Sequence, residues 1–149
     1  MVDPVANRAP FISGVILLSP DAKRLVEFYA SAVGLPLEHE QHDETHWGCE
    51  LGDVHFAIHQ VDGLPSGVPR TFKFALTTWS LEDSIERLRR HNVVLVHPPV
   101  DRGFAKMAAF EDPDGNFVEL TELSHSWLEY LAARRDEGHD VIAEWKKRN

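Results

Sequence analysis

Histidine and carboxylate side chains recur in this chain at spacings that could hold a metal or move a proton. His55 and His59 stand in the run Val54–Gln60, where strand alternation puts both on one face. His46 and Glu50 share one parity in the preceding run, Thr45–Leu51. Imidazole nitrogens and carboxylate oxygens are the donors of zinc sites, and the same groups serve as general acids and bases. Two readings follow. In one, His55, His59 and Glu50 contribute donors to one divalent metal ion. In the other, the nine histidines are scattered surface and core residues and there is no cofactor. Cys49 has the opposite parity to His46 and Glu50, and reads as a buried, inert thiol. No glycine-rich phosphate loop and no Gly-x-Ser-x-Gly nucleophile element is present.

The elements that must position these groups alternate in period. Phe11–Leu18 is a β-branched and apolar run that ends at Ser19-Pro20-Asp21. Ser19 is expected to cap a helix with Pro20 at its first position, and Gly34 to stop it. Leu25, Phe28, Tyr29, Ala32 and Val33 form the apolar face of that helix. Leu37–Gln41, Thr45–Leu51 and Val54–Gln60 read as strands, with Gly52-Asp53 as a tight turn.

After a stretch rich in glycine and proline the same order returns. Thr71–Thr78 reads as a strand, and Ser80 with Asp83 resembles a capping box before a helix buried through Leu81, Ile85 and Leu88. Val93–Val96, Ala105–Phe110 and Asn116–Leu123 are the next strand candidates, and Asp112-Pro113-Asp114-Gly115 supplies a turn. Leu17 matches Leu76, Val26 matches Ile85 and Tyr29 matches Leu88, an internal repeat with an offset of roughly sixty residues. The domain reading is a tail (1–10), a first βαβββ module (11–61), a linker (62–70), a second module (71–123) and C-terminal helices (124–149). In the last segment Trp127, Leu128, Leu131 and Ala132 make one stripe; Val141, Ile142 and Trp145 make another.

The repeat, Phe28-Tyr29, Gly34-Leu35, Pro99-Val-Asp-Arg-Gly-Phe104 and Glu111-Asp-Pro-Asp-Gly-Asn-Phe-Val-Glu-Leu120 together resemble the vicinal oxygen chelate superfamily. That superfamily includes glyoxalase I, extradiol dioxygenases, fosfomycin-resistance enzymes and bleomycin-binding proteins. The resemblance covers residues 11–123 and implies an α+β, glyoxalase-like fold: two βαβββ modules whose curved sheets form a cleft, here with a C-terminal helical extension. It also implies four inward positions for a divalent metal that acts as a Lewis acid. Those positions fall on Gly14, Ala57, Lys73 and Glu119, of which only Glu119 is a normal ligand. A slip of register on the fourth strand would instead join Glu119 to His55, His59 and Glu50 as a displaced metal set. Lys73 and Glu119 are expected to replace the metal with a buried ion pair. A ligand-binding cleft lined by Ile16, Leu18, Trp47, His55, His59, Lys73, Phe117, Glu119 and Thr121 follows, with Trp79 as a further stacking wall.

Composition narrows the partners. A net charge of −9 without a basic stripe argues against nucleic acid, and it tolerates a cationic ligand. The apolar runs are too short for a membrane span. A single cysteine and the lack of a leader-like start point to the cytoplasm. The expected function is binding of a small apolar or aromatic molecule by a homodimer. The competing functions are a metal-dependent lyase, isomerase or dioxygenase, and metal-free acid–base chemistry with Lys73 or a cleft histidine as base.

Overall fold

The computed structural model describes residue 12 and residues 14–41, 43–52, 54–63 and 73–134. The tail, most of the linker, the start of the second module and the stripe Val141, Ile142 and Trp145 lie outside the described residues.

Each module is a four-stranded mixed sheet. In sheet A the strands are β1 (Gly14–Ser19), β2 (Glu38–His39), β3 (His46–Leu51) and β4 (Val54–Gln60), in the order β1-β4-β3-β2. In sheet B they are β5 (Lys73–Thr77), β6 (Val100–Asp101), β7 (Ala105–Glu111) and β8 (Phe117–Leu123), in the order β5-β8-β7-β6. β1 runs parallel to β4 and β5 parallel to β8, while the remaining pairs are antiparallel. The repeat read in the sequence is thus a repeat of topology.

The first helix departs from expectation at its start and ends at Gly34 as expected. Ser19 stays in β1, and Asp21 is the cap, with Oδ1 accepting from the Arg24 N–H at 3.3 Å. Gln60 of β4 takes over the rest of the helix entry: its Oε1 accepts from Ala22 N–H at 2.9 Å and its Nε2 donates to Pro20 O at 2.6 Å. Helix α1 (Ala22–Glu27) then widens into a π-helical segment, Phe28–Val33. Gly34 ends it with φ 88°, and a Cβ there would overlap the Arg87 guanidinium.

Helix α2 (Leu81–Arg90) opens as read, with Ser80 Oγ accepting from Asp83 N–H at 3.2 Å. Val93–Val96 is not a strand. Leu95 makes a lone bridge to Phe110, and regular pairing resumes only at β6. Pro98 and Pro99 intervene, lack N–H donors and restrict the residues before them. Helix α3 (His125–Arg134) lays Trp127 against Phe104, ring centroids 5.9 Å apart.

One core serves both modules. Tyr29 lies at its centre, with ring centroids 5.4 Å from Phe28, 5.4 Å from Phe56 and 6.4 Å from Phe74. Its hydroxyl donates to Asp112 Oδ2 at 2.7 Å, joining the first helix to the turn before β8. Asp112 is buried and also accepts from Asp114 N–H, Asn116 N–H and the Asn116 side-chain amide. Burial, and then the negative charge of Asp112, push the Tyr29 phenol far above its ordinary range, so the donor stays protonated. Tyr29→Phe removes the hydroxyl and leaves a buried carboxylate short of one donor. The expected loss is about 1–3 kcal/mol in urea unfolding. An unchanged midpoint would show that the hydrogen bond contributes nothing to the joint.

Candidate functional site

Strand register arranges the open face of sheet A in three rows. Leu18, His59 and His46 are lateral partners, then Ile16, Ala57 and Gly48, then Gly14, His55 and Glu50. Val15, Leu17, Phe56 and Ile58 point the other way into the core, which is why the alternation exists. Glu38 extends the middle row beside Gly48. Glu40 follows β2, its N–H donating to His46 O at 2.9 Å.

Gly48 is the gap that lets these side chains meet. A Cβ on it would overlap Glu40 Oε1 and come within 2.9 Å of the His55 ring. Through that gap His55 Nε2 lies 2.8 Å from Glu40 Oε1, while its Nδ1 lies 2.5 Å from Glu50 Oε1. These hydrogen bonds, Glu50 first and Glu40 second, raise the His55 pKa against a smaller opposing effect of burial. His46 and His59 stack with centroids 3.4 Å apart and an interplanar angle of 6°. His46 Nδ1 lies 4.0 Å from Glu40 Oε2, and Nε2 lies 3.6 Å from Asp43 Oδ2.

On sheet B, Lys73 faces Phe117, Ala75 faces Glu119 and Thr77 faces Thr121. Lys73 Nζ lies 3.0 Å from Glu119 Oε2. The pair is not buried as expected: the Lys73 side chain is 59% exposed and that of Glu119 17%. The cost of breaking it accordingly falls to about 1 kcal/mol or less. The four positions assigned to a metal by resemblance therefore do not fit a divalent ion. Gly14 and Ala57 carry no donor, and an ammonium sits against the remaining carboxylate.

The residues of the alternative metal set come from both sheets: Glu119 belongs to sheet B, whereas His55, His59 and Glu50 belong to sheet A. On sheet A, His55 is held between Glu50 and Glu40, while His59 keeps company with His46. Trp47 is not a cleft wall. It pairs with Ile58, packs against the core and stacks on His39 at 5.1 Å. Trp79 stands 89% exposed in the loop before α2. Cys49 is buried, which raises its thiol pKa. Glu40 and Gly48 carry no signal of their own in the sequence beyond the alternation Glu38-His39-Glu40, one strand away from His46.

A family model described as Glyoxalase/Bleomycin resistance protein/Dioxygenase superfamily matches residues 12–120. No curated protein sequence matches. Among solved structures the chain is similar to TnmS3, an antibiotic binding protein from Streptomyces sp. CB03234. The identity is 22% and the TM-score 0.62, over 78% of this chain and 98% of that one. A glyoxalase/bleomycin resistance protein/dioxygenase from Nocardioides is 24% identical with a TM-score of 0.58, over 79% of this chain and 86% of that one. An integron cassette protein from the mobile metagenome of V. cholerae is 19% identical with a TM-score of 0.64, over 78% of this chain and 98% of that one. At these identities the likeness carries the fold. No described helix is long and apolar enough to cross a membrane.

The clamp on His55 makes a pH prediction for chelator-treated protein. Its folded pKa is raised above the unfolded value of about 6.5. The stabilisation is therefore full below that value and is lost as pH rises through the folded pKa. Imidazole NMR should show His55 titrating above the ordinary histidine range, and Glu50→Gln should lower the midpoint. A midpoint at or below the ordinary value would contradict the clamp.

Proposed function

The chain belongs to the glyoxalase/bleomycin resistance protein/dioxygenase superfamily, and from that premise we propose that it binds a small apolar or aromatic molecule against the open faces of its two sheets. One observation carries this reading. Ile16 and Leu18, on an edge strand of sheet A, are 52% and 48% exposed beside positions that have no metal ligand. Large aliphatic side chains left open on the face that the family uses for its ligands offer an apolar wall. Phe117 and Thr121 give sheet B a matching wall, while His55, His59, Lys73 and Glu119 supply polar contacts for orientation. The similarity to an antibiotic binding protein supports the same reading. A net charge of −9 suits a ligand that is itself cationic.

A homodimer fits this arrangement, because a second copy laid over Ile16 and Leu18 would enclose the ligand on its remaining side. Acid–base chemistry by Lys73 is disfavoured because its Nζ is engaged by Glu119 at 3.0 Å.

The test is a thermal-shift screen of bleomycin-type glycopeptides and polycyclic aromatic antibiotics, with light scattering for the assembly state. A ligand present at one hundred times its Kd should stabilise the fold by about 2.7 kcal/mol. Ile16→Ser and Leu18→Ser should abolish that shift. Ligand binding that survives both substitutions would place the site elsewhere.

A further inference from the structure

We propose that Glu40, His46 and His59 form a three-ligand site for a late divalent transition metal, of which zinc is the type. The site is separate from the family's four positions and does not rest on the small-molecule reading above. Each residue offers one ligand atom, and these atoms lie within 4.8 Å of one another. Around a tetrahedral zinc with bonds of about 2.0–2.1 Å, neighbouring donors stand roughly 3.4 Å apart. To bind one ion, the stacked His46 and His59 rings must turn apart until a nitrogen of each points at it.

The backbone supplies the convergence. His46 and His59 are direct cross-strand partners of β3 and β4, so their side chains leave one face side by side. Glu40 arrives from the end of β2, tied by its N–H to His46 O at 2.9 Å. Two nitrogens and one oxygen suit zinc, cobalt, nickel or copper better than calcium or magnesium, which take oxygen ligands. Three protein ligands leave a fourth position for solvent or a bound molecule.

A second shell separates this cluster from a chance gathering of charges. His46 presents Nδ1 toward Glu40 and Nε2 toward Asp43, at 4.0 and 3.6 Å. Asp43 is itself fixed, its Oδ1 accepting from Thr45 N–H at 2.8 Å and from the Thr45 hydroxyl at 2.6 Å. Glu40 has Oε1 held by His55 at 2.8 Å, which leaves Oε2 toward His46. His55 is anchored in turn by Glu50 at 2.5 Å. A carboxylate beside the far nitrogen of a ligating histidine orients the ring, and Asp43 stands within a small movement of that role. Gly48 keeps the space open, since any Cβ there would displace Glu40 and His55.

The experiment is calorimetric titration of the full, untagged, chelator-treated chain with zinc chloride, followed by cobalt substitution. The site predicts saturation at one zinc per chain and the visible absorption of four-coordinate cobalt. His46→Ala and His59→Ala should each abolish both signals, and Asp43→Asn should weaken zinc by about 10–100-fold. Imidazole NMR of the parent chain should show zinc shifting the His46 and His59 rings, a readout that survives if a variant fails to fold. Absence of one-equivalent binding by the parent chain would overturn the proposal. So would zinc binding that is lost in Glu119→Gln yet kept in His46→Ala and His59→Ala.

Discussion

Asp112 is a carboxylate almost shut off from water, and such a group is tolerated only when its oxygens are satisfied. Three of its donors come from its own turn, from Asp114 and Asn116. The fourth is Tyr29, which arrives from the first module. That hydrogen bond sets how the two halves of the chain meet. On one side Asp112, through its bonds to Asp114 and Asn116, holds the turn that starts β8, where Phe117 and Glu119 share one face and Val118 enters the core. On the other it seats a helix whose Tyr29 ring lies against Phe56, the core-facing neighbour of His55 on β4. Both open faces thus inherit their orientation from one buried joint.

The consequences differ between the two faces. On sheet B, Lys73 reaches Glu119 and satisfies the one donor that the family's metal positions retain. Gly14 and Ala57 add no donor, so no dication is favoured at the family's four positions. On sheet A the polar groups gather instead at the strand ends next to β2, where glycine at position 48 removes one side chain from the middle row. Exposed aliphatic residues and a histidine–carboxylate cluster therefore share one sheet. Ile16 and Leu18 offer contact area, and Glu40, His46 and His59 offer donors.

Much of the fold was legible because it rests on local rules. The Asp112–Gly115 turn, the Ser80 cap and the period-two runs each declare themselves in a few residues, and the repeat makes them consistent. Alternation alone put Ile16, Leu18, His55 and His59 on one face. It also placed Trp47 on the parity of Cys49, so the core position of this tryptophan follows from the same rule that was applied to the cysteine. The Val93–Val96 expectation failed because an apolar run does not reveal whether a partner strand is within reach, and two prolines postpone the pairing. Glu40 and Gly48 were hidden for a different reason. Their importance lies in a tertiary approach across β3, which no spacing along the chain encodes. The burial of the Lys73–Glu119 pair was likewise overestimated, since sequence gives the partners but not that β5 is a sheet edge.

The family's four positions hold one ligand of the usual kind, and a histidine–carboxylate donor set stands elsewhere on sheet A. Anomalous diffraction from zinc-soaked crystals, collected on both sides of the zinc absorption edge, maps both places at once. The account predicts a peak among Glu40, His46 and His59 and none beside Glu119. A peak at Glu119, with the Lys73 side chain turned away, would contradict it.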